Sequence, residues 1–282
     1  MAGHWTHSSG TTGCTVVLVP EGATAGVAVP GHAPGSRELG ALDALHLANH
    51  VHGIVLSGGS AFGLATADGV MRWLAEHDHG FLVGEHRVPI VPAAILFDLP
   101  VAEVRPDRES GWAAADAASR EPLPSGRVGA GAGCRVAKAS GISEPGGLGT
   151  AHNEGVGAVV ALNAYGSIRD PESGTWLTAP PAPRPAGLRV PASPLGNTTL
   201  AVIGVEHTLT KAECTIVARM ATAALARTCY PAWTTVDGDT VFVVSTGIRE
   251  GKLDALQLAD LGHRAALVLE RAVVNALEHR LD

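Results

Sequence analysis

The sequence has few of the features that mark several common classes of protein. Aromatic residues make up only 4% of its 282 residues, and charged residues only 17%. No apolar run reaches the roughly 18 residues of a membrane span. No basic run occurs, and the net charge of −7 argues against nucleic acid as a partner. We therefore expect neither nucleic acid nor a membrane as a partner.

Cysteine is also scarce. Cys14, Cys134, Cys214 and Cys229 show no C-x-x-C spacing, and residues 1–5 have neither the basic nor the apolar region of a signal peptide. These features predict buried thiols in a cytoplasmic protein rather than a disulfide framework. None of the 13 histidines forms H-E-x-x-H or pairs with cysteine at zinc spacing. We expect no metal and no cofactor.

What the chain does contain is apolar sequence and glycine. Apolar residues reach 46%, with 35 glycines, which is enough for a substantial core with many tight turns. Strands and helices both recur without strict alternation, which favours an α+β sandwich of stacked sheets over a doubly wound parallel sheet. The predicted elements are a hairpin of 15–19 and 23–29, helices over 37–49, 60–77, 112–119, 211–227 and 253–279, paired strands over 147–168, strands over 200–205 and 240–246, and a proline-rich linker over 171–194.

A hydroxyl residue follows an asparagine where that linker meets an apolar run. The segment 194–203 reads PLGNTTLAVI. The hydroxyl of Thr198 is placed to attack the Asn197 carbonyl and cut the chain, and the new α-amine beside it would then act as its base. The amine suits this task because its unperturbed pKa is about 8. The alternative is that Asn-Thr simply begins a strand.

Several segments, in their order along the chain, resemble the L-aminopeptidase/D-esterase family, which includes β-peptidyl aminopeptidases and a pantetheine hydrolase. They are 56–64 (LSGGSAFGL), 128–133 (VGAGAG), 160–166 (VALNAYG), 197–202 (NTTLAV) and 237–242 (DGDTVF). The resemblance implies a four-layer αββα sandwich of the N-terminal-nucleophile type and a homo-oligomer, often a tetramer. We expect one self-processing domain over 1–282, cleaved between Asn197 and Thr198.

The resemblance also assigns roles to the site residues. Thr198 is the expected nucleophile, and Asn163 matches the family's oxyanion donor, although it could be a structural residue at a strand end. Asp237 and Asp239 would orient the Thr198 amine and tune its pKa. The alternative for Asp-Gly-Asp is a hairpin turn. The β-peptidyl aminopeptidases are expected to have Ser and Glu here, which leaves substrate preference open.

Two glycine-rich segments are candidates for substrate binding. The turn Ser57-Gly58-Gly59-Ser60 follows a strand and opens a helix, so its N–H groups could bind an anion, or it could be a helix cap. Ser60 does not fit the G-x-S-x-G elbow, because Phe62 occupies the last glycine place. Gly129, Gly131 and Gly133 do not form a dinucleotide fingerprint, since Cys134 replaces its third glycine. They could contact substrate or serve tight packing.

The residues and the resemblance together predict a self-cleaving aminopeptidase or amidohydrolase. Its substrate would be the N-terminal amide or ester of small peptides or amides, attacked by Thr198 to form an acyl-enzyme. Two alternatives remain from the sequence. One is an acyltransferase of the same fold, similar to ornithine acetyltransferases, and the other is a non-enzymatic small-molecule-binding protein.

Overall fold

The computed structural model describes residues 1–181 and 196–278, so part of the linker predicted over 171–194 lies outside the described residues. Short 3-10 turns lie at Leu39–Leu42, Ser60–Ala65, Gly129–Gly131 and Lys138–Ser140. The helices are α1 (Thr66–Glu76), α2 (Arg108–Asp116), α3 (Lys211–Ala221), α4 (Ala223–Thr228) and α5 (Ala255–Glu278). The strands are β1 (Ala2–Thr6), β2 (Gly13–Ala28), β3 (Gly35–Arg37), β4 (Val51–Ser57), β5 (Phe81–Val83), β6 (His86–Val88), β7 (Ala93–Ile95), β8 (Arg135–Val136), β9 (Glu144–Pro145), β10 (Gly147–Asn153), β11 (Val156–Asn163), β12 (Ser167–Ile168), β13 (Thr198–His207), β14 (Cys229–Tyr230) and β15 (Thr240–Arg249).

Two sheets share the long strand β2. Its first half pairs with β1 and β4, and the sheet continues from β4 through β7 to β3. Its second half pairs with β15, and that sheet continues through β13 and β11 to β10. Of these pairs, β4–β7 and β13–β15 run parallel and the others antiparallel. Both sheets are therefore held together by one continuous backbone.

The sheets stack face to face and carry helices on their outer faces. Side chains alternate across a strand, and β13 shows the consequence. Leu200 and Val202 lie in the apolar cluster between the two sheets, together with Phe242 of β15. Ala201 and Ile203 face the opposite way and pack in the cluster that includes α3 and α5. A third cluster joins the other sheet to α1 and α2. The predicted α+β, four-layer αββα sandwich is confirmed.

Residues 15–19 and 23–29 do not form the predicted hairpin. Residues 15–19 and 23–28 belong to the single strand β2, and Pro20 and Gly22 lie within it. The register of β2 against β4 shifts between Leu18 and Ala23, where the strand leaves one sheet and enters the other. Proline has no N–H for a ladder, and Gly22 has a φ of 86°, so both suit a break in strand pairing.

The helix predicted over 37–49 is also wrong. β3, a 3-10 turn and a loop occupy this stretch. Leu45 and Leu47 are 92% and 93% exposed, so their spacing does not mark a core face. The ammonium of Lys211, at the start of α3, donates to three carbonyl oxygens of the loop, those of Ala41 (3.2 Å), His46 (2.7 Å) and Ala48 (2.9 Å). These carbonyls are therefore bonded to a side chain instead of a helical backbone.

Other predicted elements have the same type, strand or helix, in the structure. The paired strands over 147–168 are β10 and β11, and the capping box of Thr210 and Glu213 begins α3. The helix predicted over 112–119 is α2, which starts earlier because the Asp107 side chain caps it.

The four cysteines are free and buried, as the sequence predicts. Across 1–181 and 196–278, no helix has the length and apolar character needed to cross a membrane.

Candidate active site

Strand pairing brings Thr198 and Asn163 together. β11 ends at Asn163 and β13 begins at Thr198, and the antiparallel register places these two residues opposite each other. Asn163 is fully buried and Thr198 is 4% exposed. The predicted nucleophile and the predicted oxyanion donor therefore lie side by side in the interior.

The hydroxyl of Thr198 lies against the carbonyl that precedes it. Its Oγ1 donates to the Asn197 carbonyl oxygen over 2.5 Å. The same oxygen accepts the backbone N–H of Gly238 at 2.9 Å. Attack on the Asn197 carbonyl carbon would close a small ring through the Thr198 Oγ1, Cβ, Cα and N atoms. A nucleophile, a carbonyl group and an N–H donor are thus adjacent in the uncleaved chain.

The side-chain amide of Asn163 is held at both ends. Its Oδ1 accepts the backbone N–H of Arg135 at 2.8 Å. Its Nδ2 lies 3.3 Å from two carbonyl oxygens, those of Phe97 and Gly196. These partners fix which way the amide points, because oxygen must face a donor and nitrogen an acceptor. The donor end of Asn163 is directed at Gly196, one residue before Asn197.

Lys138 completes this cluster, and we did not predict it from the sequence. Its Nζ donates to the Gly196 carbonyl oxygen at 2.8 Å, and to Oδ1 and the backbone oxygen of Asn163 at 3.1 and 3.2 Å. Burial away from water lowers the pKa of Lys138 to about 7. A group that exchanges its proton near neutral pH therefore lies at the Gly196 carbonyl.

No local sequence motif indicates that Lys138 is buried at the site. It stands among small residues in the segment 136–140 (VAKAS), where an isolated lysine is ordinarily solvent-exposed. Its position depends on Ala137, which adopts a left-handed φ of 59° and starts the 3-10 turn at Lys138–Ser140. Two backbone bonds, from Ala137 N to Gly166 O and from Ala139 N to Tyr165 O, fasten that turn behind Asn163.

Asp237 and Asp239 lie on the other side of Thr198. They do not form the alternative hairpin, because they lead into β15, which runs parallel to β13. Asp239 Oδ1 accepts the backbone N–H of Thr199 at 2.6 Å. Asp237 Oδ2 accepts the backbone N–H and the hydroxyl of Thr234 at 2.8 and 2.6 Å. Burial, and then the Asp237 charge, raises the pKa of Asp239 above its usual value.

The turn 57–60 is joined to this cluster through the neighbouring segment 96–98, whose Phe97 carbonyl contacts Asn163. The sequence predicts one helix over 60–77 after this turn, whereas the structure has a 3-10 turn followed by α1. Its N–H groups are engaged inside the protein, by Gly58 to the Gly13 carbonyl (2.9 Å), Gly59 to Asp98 Oδ1 (2.7 Å) and Ser60 to the Leu96 carbonyl (3.0 Å). These bonds fix the turn, and a direct role of Ser57 to Ser60 in binding substrate stays a prediction.

Gly131 and Gly133 lie tightly against other backbone, and Gly129 lies against the side chains of His4 and Thr15. A Cβ on Gly131 would be 2.2 Å from the nitrogen of Leu148, and one on Gly133 would be 2.3 Å from the oxygen of Thr11. Gly129 has a φ of 52°. Close packing explains why all three positions are glycine. The same segment continues to Arg135, whose backbone N–H donates to Asn163 Oδ1. Their contact with substrate also stays a prediction.

The cluster has the parts that acyl transfer needs: a hydroxyl nucleophile, a donor amide and a buried lysine whose pKa is lowered to about 7. In the described portion of the chain, His, Cys, Asp and Glu side chains form no group of three or more that could hold a metal ion.

Comparison with known sequences defines the family. The model of peptidase family S58 matches residues 1–279. An uncharacterized aminopeptidase of Mycobacterium leprae is 42% identical over 269 residues, which cover 86% of this chain and 73% of that protein. A 6-aminohexanoate-oligomer endohydrolase of a Kocuria species is 29% identical over 301 residues, which cover 96% of this chain and 81% of that protein.

Comparison with solved structures agrees with the architecture. The L-aminopeptidase D-Ala-esterase/amidase of Ochrobactrum anthropi, a variant of the Ntn-hydrolase fold, matches with a TM-score of 0.70 and 17% identity, over 98% of this chain and 82% of its own. A Burkholderia β-aminopeptidase matches with a TM-score of 0.69 and 20% identity, over 98% and 83%.

The chain therefore has the N-terminal-nucleophile hydrolase fold. It belongs to peptidase family S58. It is a hydrolase of the aminopeptidase and amidohydrolase kind, and the alternative of a non-enzymatic binding protein is wrong.

Proposed function

We propose that this hydrolase cleaves its own chain between Asn197 and Thr198 and then uses Thr198 as an N-terminal nucleophile on small amides. One observation carries the proposal. The Thr198 hydroxyl lies 2.5 Å from the Asn197 carbonyl oxygen, in a buried cluster with Asn163 and Lys138. Such proximity lowers the entropic cost of bringing a nucleophile to its carbonyl group.

Self-cleavage needs a base other than the α-amine, because the nitrogen of Thr198 is still an amide. We assign this role to neutral Lys138, whose pKa is lowered to about 7 and whose Nζ lies at the Gly196 carbonyl oxygen. It takes the hydroxyl proton through one water while Oγ1 bonds to the Asn197 carbon. The bond from that carbon to the Thr198 nitrogen then breaks, and the nitrogen receives the proton. Water hydrolyses the resulting ester, which restores the hydroxyl and leaves a carboxyl group on Asn197.

Turnover repeats this chemistry on a substrate carbonyl. The freed α-amine of Thr198 acts as the base for its own hydroxyl and passes the proton to the leaving amine. Asn163 donates to the oxygen of the tetrahedral intermediate. Asp239 holds the backbone of Thr199 and thereby the orientation of the neighbouring amine. Water then releases the acyl group from Thr198.

The substrate class is an amide or ester at the N-terminal end of a small molecule. The aminopeptidase relatives favour an α- or β-amino acid amide. The name of the Kocuria relative adds 6-aminohexanoate oligomers as a second candidate class. A substrate panel for the processed protein should therefore contain α-amino acyl, β-amino acyl and 6-aminohexanoyl amides.

The test compares wild type with Thr198→Ala and Thr198→Ser on amino-acid p-nitroanilides. We expect Thr198→Ala to fold but to lose self-cleavage and hydrolysis, and Thr198→Ser to keep part of both because a hydroxyl remains. Normal hydrolysis by purified Thr198→Ala would exclude this site. Adding an acceptor amine distinguishes hydrolysis from the alternative acyltransferase, since a transferase would form the acylated amine in preference to the free acid.

A further inference from the structure

Two successive carbonyl groups at the cleavage point are held by different donors. We propose that the backbone N–H of Gly238 is the oxyanion donor of self-cleavage, whereas the side-chain amide of Asn163 is the oxyanion donor of turnover. This inference rests on the proposed self-cleavage, to which it adds a catalytic group. Self-cleavage and turnover then use different hydrogen-bond donors for their oxyanions.

The first part of the geometry concerns the Asn197 carbonyl. Its oxygen accepts from Gly238 N–H at 2.9 Å, a distance at which a donor already faces the place where charge develops. When Thr198 Oγ1 bonds to the carbon, the oxygen becomes an anion. The hydrogen bond from Gly238 then becomes charge-assisted and roughly twice as strong. Loss of one such donor typically slows a reaction by about 10²–10³.

The second part concerns the Gly196 carbonyl. Asn163 Nδ2 and Lys138 Nζ both donate to its oxygen, at 3.3 and 2.8 Å. In the uncleaved chain these donors are thus occupied by a carbonyl that does not react. Cleavage turns Asn197 into a chain end and frees Gly196 to leave. The vacated donors can then bind a substrate carbonyl. Before cleavage, the Gly196 carbonyl therefore fills the position that the substrate carbonyl takes in the processed enzyme.

A glycine at position 238 leaves the space that this arrangement needs. A Cβ on Gly238 would lie 2.8 Å from Thr198 Oγ1 and 2.6 Å from the carbonyl oxygen of Ala33. Contacts this short would displace the nucleophile or the loop. Glycine therefore allows the backbone N–H to reach the Asn197 oxygen while the hydroxyl lies directly beside it.

The experiment removes the N–H without adding atoms at Cα. Replacing Gly238 by glycolic acid exchanges the amide N–H for an ester oxygen. The intact chain is refolded, and its conversion to fragments is followed on a denaturing gel. We expect first-order cleavage to slow by about 10²–10³. The matched control replaces Ala33 by lactic acid, which deletes an N–H bonded to the Asp237 oxygen at 2.8 Å in the adjacent loop, and should cleave near the wild-type rate.

A second variant tests the other donor set. Asn163→Ala should slow p-nitroanilide turnover at least about tenfold more than it slows self-cleavage, and the Gly238 ester should do the reverse. Equal slowing of both reactions in both variants would show one shared donor set and overturn the inference. So would an ester variant that cleaves as fast as wild type. Failure of wild type to cleave at all is a different result, which refutes the proposed function itself.

Discussion

The ammonium of Lys138 lies 2.8 Å from the carbonyl oxygen of Gly196, one residue before the proposed cleavage point. Its charge is held away from water, and its pKa falls to about 7. If neutral Lys138 is the base of self-cleavage, the cleavage rate should rise with pH through a midpoint near 7 and level off above it. Incubation of refolded intact chain across a pH series measures this profile.

Lys138→Met should abolish the cleavage, and Lys138→Arg should not restore it, because guanidinium stays protonated. Lys211→Met is the matched control. Lys211 is also buried and also donates to three carbonyl oxygens, but it holds the loop before β4. Its loss should lower thermal stability and leave the pH profile of cleavage in place. A rate that falls as pH rises through 7 would contradict the base role and indicate that the ammonium acts by its charge.

Asn163→Ala should lower kcat by about 10²–10³, or about 2.7–4 kcal/mol, because the variant lacks the amide donor to the oxyanion of turnover. Steady-state hydrolysis of a p-nitroanilide by protein that has already been processed measures this effect. A change of less than about threefold with an unchanged melting temperature would make Asn163 a structural residue at the end of β11.

Asp239→Asn should move the acidic limb of the kcat/KM profile to lower pH. A carboxylate near an ammonium favours the charged form, so its removal lowers the pKa of the Thr198 amine and the neutral base persists to lower pH. Asp237→Asn should produce a shift in the same direction. A profile that does not move in either variant, with a lowered melting temperature, would remove both aspartates from the mechanism.

Asp239 also affects the stability of the uncleaved chain, in which Thr198 carries no ammonium. Its folded pKa is raised above the usual value, so the folded state binds more protons in the interval between the unfolded and folded pKa values. Stability from this group is fully present below the unfolded pKa and is lost as pH rises through the folded pKa. Asn cannot ionise, and its amide oxygen can still accept the Thr199 N–H. Asp239→Asn should therefore remove the loss of stability at higher pH. Urea unfolding of Thr198→Ala and of Thr198→Ala/Asp239→Asn at several pH values measures the difference in the uncleaved chain, and parallel pH curves would contradict it.

The sequence could predict the layered fold, and the family resemblance gave Thr198 and Asn163 their expected roles. Continuous apolar runs mark β11, β13 and β15, and the run of β13 begins directly after Thr198 and Thr199. The register that places Thr198 opposite Asn163 comes from strand pairing. The shared strand β2 could not be read correctly. Pro20 and Gly22 carry the chemistry of a turn, and only the presence of two sheets makes them a crossing point instead.

Lys138 and the Gly238 N–H could not be predicted for a different reason. Lys138 reaches the site through a left-handed turn at Ala137 and backbone bonds to 165–166, which no local pattern encodes. The Gly238 donor is a backbone group, so its role depends on strand pairing and not on residue type. Asp237-Gly238-Asp239 reads equally well as a hairpin until the parallel pairing of β13 with β15 is known.

The position of self-cleavage is the central claim, and intact mass together with N-terminal sequencing of the purified, incubated protein tests it most directly. We expect fragments of residues 1–197 and 198–282, with the smaller fragment beginning Thr-Thr-Leu-Ala-Val. A fragment with another first residue would move the nucleophile away from Thr198. A chain that remains intact after long incubation on both sides of pH 7 would contradict the account.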